Sequence, residues 1–175
     1  IIIGAPGVGK TITSQMLVLY YAAQGYRVRY TTDGADLAGL KKALSQSRET
    51  KEVILLDDCF GQAYFSMKET QENELLSLIR HIKMNPNKVL IMNSRVTIYR
   101  EAQERTPALV NSLDRKEYKA YVIDMSQISD VEKARIFYHH LYFGEVPAPY
   151  RAEIRKNKRY LQIVRHKNYN PRIVE

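Results

Sequence analysis

Three isoleucines, Ile1, Ile2 and Ile3, run without a break into Gly4-Ala5-Pro6-Gly7-Val8-Gly9-Lys10-Thr11. A β-branched run that ends in glycine reads as a short buried strand. Residues 11–24 carry apolar side chains at Ile12, Met16, Leu17, Tyr20 and Ala23, a helical spacing that Gly25 closes. The segment between them satisfies G-x-x-x-x-G-K-[ST] in full, and its placement between a strand and a helix is the context that gives the pattern its meaning. Glycines let such a loop turn its N–H groups inward around an anion, and the helix that begins near Lys10 adds the positive end of its dipole. Lys10 is then placed to bridge the β- and γ-phosphates of a nucleotide, and the Thr11 hydroxyl to sit on Mg²⁺. The expected nucleotide contacts are Gly4, Ala5, Pro6, Gly7, Val8, Gly9, Lys10, Thr11 and Ile12.

The rest of the chain keeps the same alternation. Strands are expected over residues 26–32 (YRVRYTT), 53–58 (VILLDD), 88–95 (KVLIMNSR) and 119–125 (KAYVIDM), with helices over 36–45, 69–84 and 96–104. Leu37, Leu40 and Leu44 share one helical face, as do Leu75, Leu76, Ile79 and Ile82. Alternating strands and helices predict an α/β fold with a parallel five-stranded sheet covered on both faces, and the unbroken apolar runs fit strands buried on both sides.

Asp57 and Asp58 close the third strand after four apolar residues. Ligands of open α/β sheets gather at this carboxyl edge. Asp57 is expected to hold Mg²⁺, and Asp58 to orient or deprotonate an attacking water. Glutamate is usual at the second position, and aspartate is shorter by one methylene. A plain acidic turn into Cys59-Phe60-Gly61 is the alternative. In the additional-strand division of phosphate-loop NTPases the next strand inserts between the two functional ones, which puts Asn93, Ser94 and Arg95 beside the γ-phosphate. Arg95 is the expected sensor in cis, its planar fork suited to phosphate; the alternative is an exposed Arg95 with Ser94 capping a helix. Asn87-Lys88 begins like a guanine-specificity motif but lacks its aspartate and precedes a strand, so adenine is the default and ATP with Mg²⁺ the expected ligand.

After Met125 the character changes. Ser129 and Glu132 form an S-x-x-E capping box for a helix that Gly144 ends. Residues 144–149 (GEVPAP) read as a rigid, helix-free break. Residues 151–175 hold eight basic side chains and two acidic ones, +6 of the chain's net +8. Such a tail is either a nucleic-acid-facing surface or a solvated helical face that meets an acidic neighbour. The organisation expected is a phosphate-loop domain over 1–126, a helical subdomain over 127–150 and a basic helical segment over 151–175. One cysteine, Cys59, excludes an internal disulfide and points to a reducing, cytoplasmic setting. No apolar run approaches the roughly 20 residues of a membrane span. His139 and His140 are adjacent, so on a helix they cannot both face one metal.

Taken together, "GAPGVGKT", "LLDDCFG", "IMNSR", the break after Gly144 and "HKNYNPRIVE" resemble the STAND class of signalling ATPases, and within it the third bacterial "novel STAND NTPase" subfamily. The resemblance implies an ATP-driven switch. A nucleotide-binding domain is followed by a helical subdomain and the start of a winged-helix subdomain, with an effector domain before and a ligand-sensing array after. It also implies self-association on activation and, in some relatives, antiphage defence. Pro147 matches the family proline that lies against adenine, although two residues separate it from Gly144 where the usual pattern has one. The chain reads as a fragment cut at domain boundaries. Two other classes stay open: an AAA-like DNA-handling ATPase of helicase-loader type with a nucleic-acid-binding tail, and a nucleotide-binding scaffold without hydrolysis.

Overall fold

The computed structural model of the protein describes residues 1–32, 36–61, 69–106, 121–126 and 128–171. By compactness the chain divides into two units, one of Ile1–Ala5 with Lys10–Met125, the other of Pro6–Gly9 with Ser126–Glu175.

The first unit is built on β1 (Ile2–Gly4), β2 (Arg27–Thr32), β3 (Glu52–Asp57), β4 (Lys88–Arg95) and β5 (Ile123–Asp124), interleaved with α1 (Lys10–Ala23), α2 (Leu37–Ala43), α3 (Glu69–Lys83) and α4 (Val96–Arg105). The strands form one sheet in the order β2-β3-β4-β1-β5, and every pairing is parallel. The strand that follows the carboxylates in sequence therefore lies between the carboxylate strand and the loop strand, the additional-strand arrangement. Successive strand residues point to opposite faces, and β3 shows the result. Ile54 and Leu56 enter a core with α2, α3 and α4 residues such as Leu37, Leu75, Ile79 and Ile98. Val53 and Leu55 enter a second core with Val18 of α1. All four are essentially inaccessible.

The helix expected over residues 11–24 is present as α1, while the fifth strand and the break after Gly144 need correction. In α1 the buried residues are Lys10, Ser14 and Val18, whereas Ile12, Met16 and Tyr20 are exposed. The helix is apolar most of the way round, so its periodicity could not decide which face meets the sheet. The fifth strand is shorter among the described residues, Ile123–Asp124, because only β1 borders it; residues 119–120 of the expected strand lie outside the described residues. The break after Gly144 ends at Pro147, since a helix already begins at Ala148 and Pro149 sits in its first turn, where a missing N–H has no partner to lose.

The second unit holds α5 (Asp130–Phe143), α6 (Ala148–Arg155), a 3₁₀ turn (Lys156–Lys158) and α7 (Tyr160–Val164). Ser129 and Glu132 form the capping box at the start of α5. The Tyr169 hydroxyl donates to the Lys133 carbonyl at 2.8 Å, and Asn170 Nδ2 donates to the Pro6 carbonyl at 2.7 Å. Residues 172–175, the end of the expected basic helical segment, lie outside the described residues.

At the opening of the β3–β4 ladder, Glu52 pairs in register with Lys88, and Glu52 is fully buried. Its carboxylate accepts from Lys88 Nζ at 2.6 Å, from the Ser45 N–H at 3.0 Å and from Arg29 Nη2 at 3.3 Å. Burial alone would raise this carboxyl, but the hydrogen bonds from Lys88, Ser45 and Arg29 outweigh it and hold the group below its ordinary value. A carboxylate lowered on folding contributes stability that is present above its unfolded pKa and lost as pH falls through the folded one. Glu52→Ala, which strands a buried ammonium, is expected to cost about 3–5 kcal/mol in denaturant unfolding. Glu52→Gln is expected to flatten the loss of stability on acidification below the glutamate range; an unchanged acid limb would refute the assignment.

Candidate functional site

The loop between β1 and α1 has Gly7 at φ 79° and Gly9 at φ 89°. A Cβ at Gly9 would meet nothing within 4 Å, so the left-handed backbone, not space, is what requires glycine there. Such turns bring N–H groups round toward one point, beside the free N–H groups that open α1. Thr11 and Ile12 are exposed, and Lys10 is largely buried, with Nζ donating to the Ala5 carbonyl at 3.0 Å.

Asp57 ends β3. The Thr11 hydroxyl donates to Asp57 Oδ1 at 3.1 Å, so the two oxygens expected to hold Mg²⁺ are already neighbours. Hard oxygen donors of this kind suit Mg²⁺, which keeps most of its water and takes few protein ligands. Among the described residues there is no group of three or more His, Cys, Asp or Glu that could hold a metal ion. Tyr30, on the edge strand β2, has its hydroxyl 3.5 Å from Asp57 Oδ2. Asp58 follows in the left-handed region at φ 50°.

Arg95 is the last residue of β4 and lies in register with Gly4, the first residue of the loop. It occupies the cap position of α4 without a side-chain cap bond, while Ser94 is buried and its hydroxyl reaches only the Arg95 carbonyl at 3.4 Å. Ser94 therefore does not cap the helix. The charges converge on Lys10: burial lowers its pKa most, Asp58 opposes that, Arg95 adds to the lowering, and Asp57 opposes it. Two cations and two carboxylates thus share one edge of the sheet, and a polyanion arriving there would find the Lys10 ammonium already partly desolvated.

Pro147 is described only in the second unit, exposed, at the cap position of α6. Cys59 is a buried member of the core, and burial pushes its thiol up, so it packs as a small hydrophobe.

The sequence places Asn93 at the strand end beside the γ-phosphate without giving it a role, and it does not single out Ser14. Asn93 is buried; its Nδ2 donates to Asp57 Oδ1 at 2.5 Å and to Ser14 Oγ at 3.0 Å. Ser14 Oγ in turn donates to the Lys10 carbonyl at 2.9 Å. Both carried a signal. Ser14 lies one helical turn beyond Lys10, and an asparagine closing an apolar central strand must find partners for a buried amide. Tyr30 carried none, since its place depends on strand register.

A glycine loop opening a helix, with a threonine against a strand-end aspartate and the intervening strand supplying an arginine, defines a phosphate-loop NTPase. Residues 1–143 match the family described as Novel STAND NTPase 3, and the chain belongs to that family. No protein of curated function matches it in sequence. Among solved structures, AMPPCP-bound DnaA from Aquifex aeolicus is similar at TM-score 0.54 and 17% identity, over 96% of this chain and 55% of that one. A RuvB variant from Thermotoga maritima is similar at TM-score 0.54 and 15% identity, over 99% of this chain and 51% of that one. The chain thus spans about half the length of these proteins, and at such identities they share its fold.

Lys10→Ala is expected to abolish nucleotide binding. Asp57→Ala is expected to retain part of the Mg²⁺-free affinity while losing the gain that Mg²⁺ confers. Titration of a fluorescent nucleotide with and without Mg²⁺ checks both, and wild-type binding by Lys10→Ala would sink the loop assignment.

Proposed function

We propose that this is the ATP-binding and ATP-hydrolysing module of a STAND-type switch, in which nucleotide state controls ligand-triggered self-association and the activation of an effector. The observation that carries the reading is the contact between Thr11 and Asp57 at the carboxyl edge of the sheet, with Lys10 buried beside them and Arg95 aligned with Gly4. Gly4, Ala5, Pro6, Gly7, Val8 and Gly9 wrap the phosphates, Lys10 holds the β- and γ-phosphates, and Ile12 flanks them. Thr11 and Asp57 would hold Mg²⁺, which would supply neutralisation of charge on the phosphate oxygens. Asp58 takes the proton of the water that attacks the γ-phosphorus as the β–γ bridging P–O bond breaks toward ADP. Arg95 stabilises the charge on the transferred group. Pro147 lies against adenine.

The helical subdomain of 127–150 and the basic segment of 151–175, the latter opening a winged-helix subdomain, are the moving part. Support comes from the Asn170 bond to Pro6, since the tip of the phosphate loop and the tail fall in one compact unit. Effector and sensor domains in the full-length protein, a cytoplasmic setting and antiphage signalling complete the proposal. No helix among the described residues is long and apolar enough to cross a membrane.

One observation favours the second reading, a DNA-handling ATPase. In the tail, Arg151, Arg155, Lys156, Lys158, Arg159, Arg165 and Lys167 are all exposed. Two of these cations pair with acidic neighbours, Arg159 with Glu153 and Arg165 with Asp130. The measurements separate the readings. Arg95→Ala is expected to weaken ATP far more than ADP; equal losses would make Arg95 structural. The full-length protein is expected to assemble in a nucleotide-dependent way and to bind DNA negligibly at physiological salt. Tight DNA binding that falls by roughly 0.9 log units per phosphate contact per log unit of salt on duplex, with assembly indifferent to nucleotide, would establish the second reading instead.

A further inference from the structure

We propose that Asn93 is the positioning residue of this site: its side-chain amide fixes the Asp57 carboxylate against Thr11 and sets the turn that carries Asp58. The inference rests on the nucleotide reading above and assigns a role to a residue that touches no phosphate in it.

The geometry leaves the amide one orientation. Nδ2 faces Asp57 Oδ1, which as a carboxylate only accepts, and Ser14 Oγ. Oδ1 accepts the Asp58 N–H at 2.8 Å. Rotating the group by half a turn would set oxygen against carboxylate and N–H₂ against N–H, so the network itself fixes which atom is nitrogen. Both donors and the side-chain carbonyl are satisfied, as a buried amide requires.

The β3–β4 ladder explains why this residue matters. Its register runs from Glu52 and Lys88 to Leu56 and Met92 and stops there. One step further on, the Asn93 side chain takes the Asp58 N–H, and the Asn93 backbone carbonyl takes the Cys59 N–H at 3.0 Å. Gly61 N–H then returns to the Asp58 carbonyl at 2.7 Å. The strand is thereby bent out of the sheet at Asp58, which lies in the left-handed region, a conformation a non-glycine residue holds only when its surroundings enforce it. Through Ser14 and the Lys10 carbonyl the same amide reaches the first turn of α1, which carries Lys10 and Thr11. Asn93 therefore joins three elements at the points where each presents a functional group. A carboxylate tied at one oxygen by both Thr11 and Asn93 is preorganised; without the amide it keeps only the Thr11 bond there and the long Tyr30 contact at its other oxygen.

Two variants separate the two halves of the role. Asn93→Leu fills similar space but removes both donor and acceptor. Asn93→Asp keeps the acceptor for the Asp58 N–H and replaces the donor with a second carboxylate beside Asp57. Three measurements on the full chain apply: amide hydrogen exchange at Asp58 and Cys59 without metal, nucleotide affinity without Mg²⁺, and the Mg²⁺ concentration that half-maximally enhances it. In the wild type the Asp58 amide is expected to be protected. In Asn93→Leu that protection is lost, metal-free affinity is kept, and the Mg²⁺ midpoint rises roughly 10- to 100-fold, the scale on which partners that orient a metal ligand act. In Asn93→Asp the Mg²⁺ midpoint rises while Asp58 stays protected. Fast exchange at Asp58 in the wild type, or Asn93→Leu with an unchanged Mg²⁺ midpoint, overturns the proposal, as does equal loss of binding with and without Mg²⁺ in a variant that melts like wild type. If the variants fail to fold, the wild-type exchange still decides. Failure of the nucleotide reading is distinguishable, because then wild type and Lys10→Ala would bind nucleotide equally poorly.

Discussion

The parallel pairing of β4 between β1 and β3 is the constraint on which the rest depends. Strand direction sends the carboxyl ends of all three to one edge, and those ends carry Gly4, Asp57 and Asn93 through Arg95. The pairing in turn requires a strand buried on both faces, and β3 meets this with Val53 and Leu55 on one side and Ile54 and Leu56 on the other. A polar side chain in the middle of that run would leave an unpaired group in a core, so polarity is confined to the two ends. Glu52 and Lys88 form a buried ion pair at one end, and Asp57, Asn93 and Ser14 a hydrogen-bonded group at the other.

These two ends are built differently. The pair at the opening of the ladder is closed: the Glu52 oxygens accept from Lys88, Ser45 and Arg29, and the cluster is structural. The carboxyl edge is open. Lys10 is desolvated and sits among Arg95, Asp57 and Asp58, and the loop glycines hold left-handed backbone beside the free N–H groups of a helix start. Desolvated cations bind an anion more strongly than solvated ones, because part of the cost of stripping water is met in folding.

The second unit follows the same logic with fewer resources. Its α6 and α7 are short, and Phe137 and Val164 are buried while Tyr138, Tyr142, Phe143 and Tyr150 are exposed. Caps and polar ties do much of the holding: the Ser129–Glu132 box, Tyr169 on the Lys133 carbonyl and Arg165 with Asp130. An arrangement resting on exposed polar contacts is nearer the low-stability end of a protein, where moving elements are found.

The sequence by itself determined the elements and their chemistry. Glycines at 4, 7 and 9 before Lys10 and Thr11 name a phosphate loop; the apolar runs before Asp57 and Asn93 name buried strands; Ser129 and Glu132 name a helix start. These signals are local, each written within a few residues by backbone geometry, periodicity and hydrogen-bonding capacity. Tertiary structure alone decided which face of α1 meets the sheet, because that helix is apolar most of the way round. It decided that Tyr30 stands beside Asp57, since register aligns Thr32, not Tyr30, with Asp57 and no spacing in the chain expresses how far a tyrosine hydroxyl reaches. It also decided that the buried amide of Asn93 joins residues 14, 57 and 58, because hydrogen bonds between distant segments exist only once the sheet has set their separation.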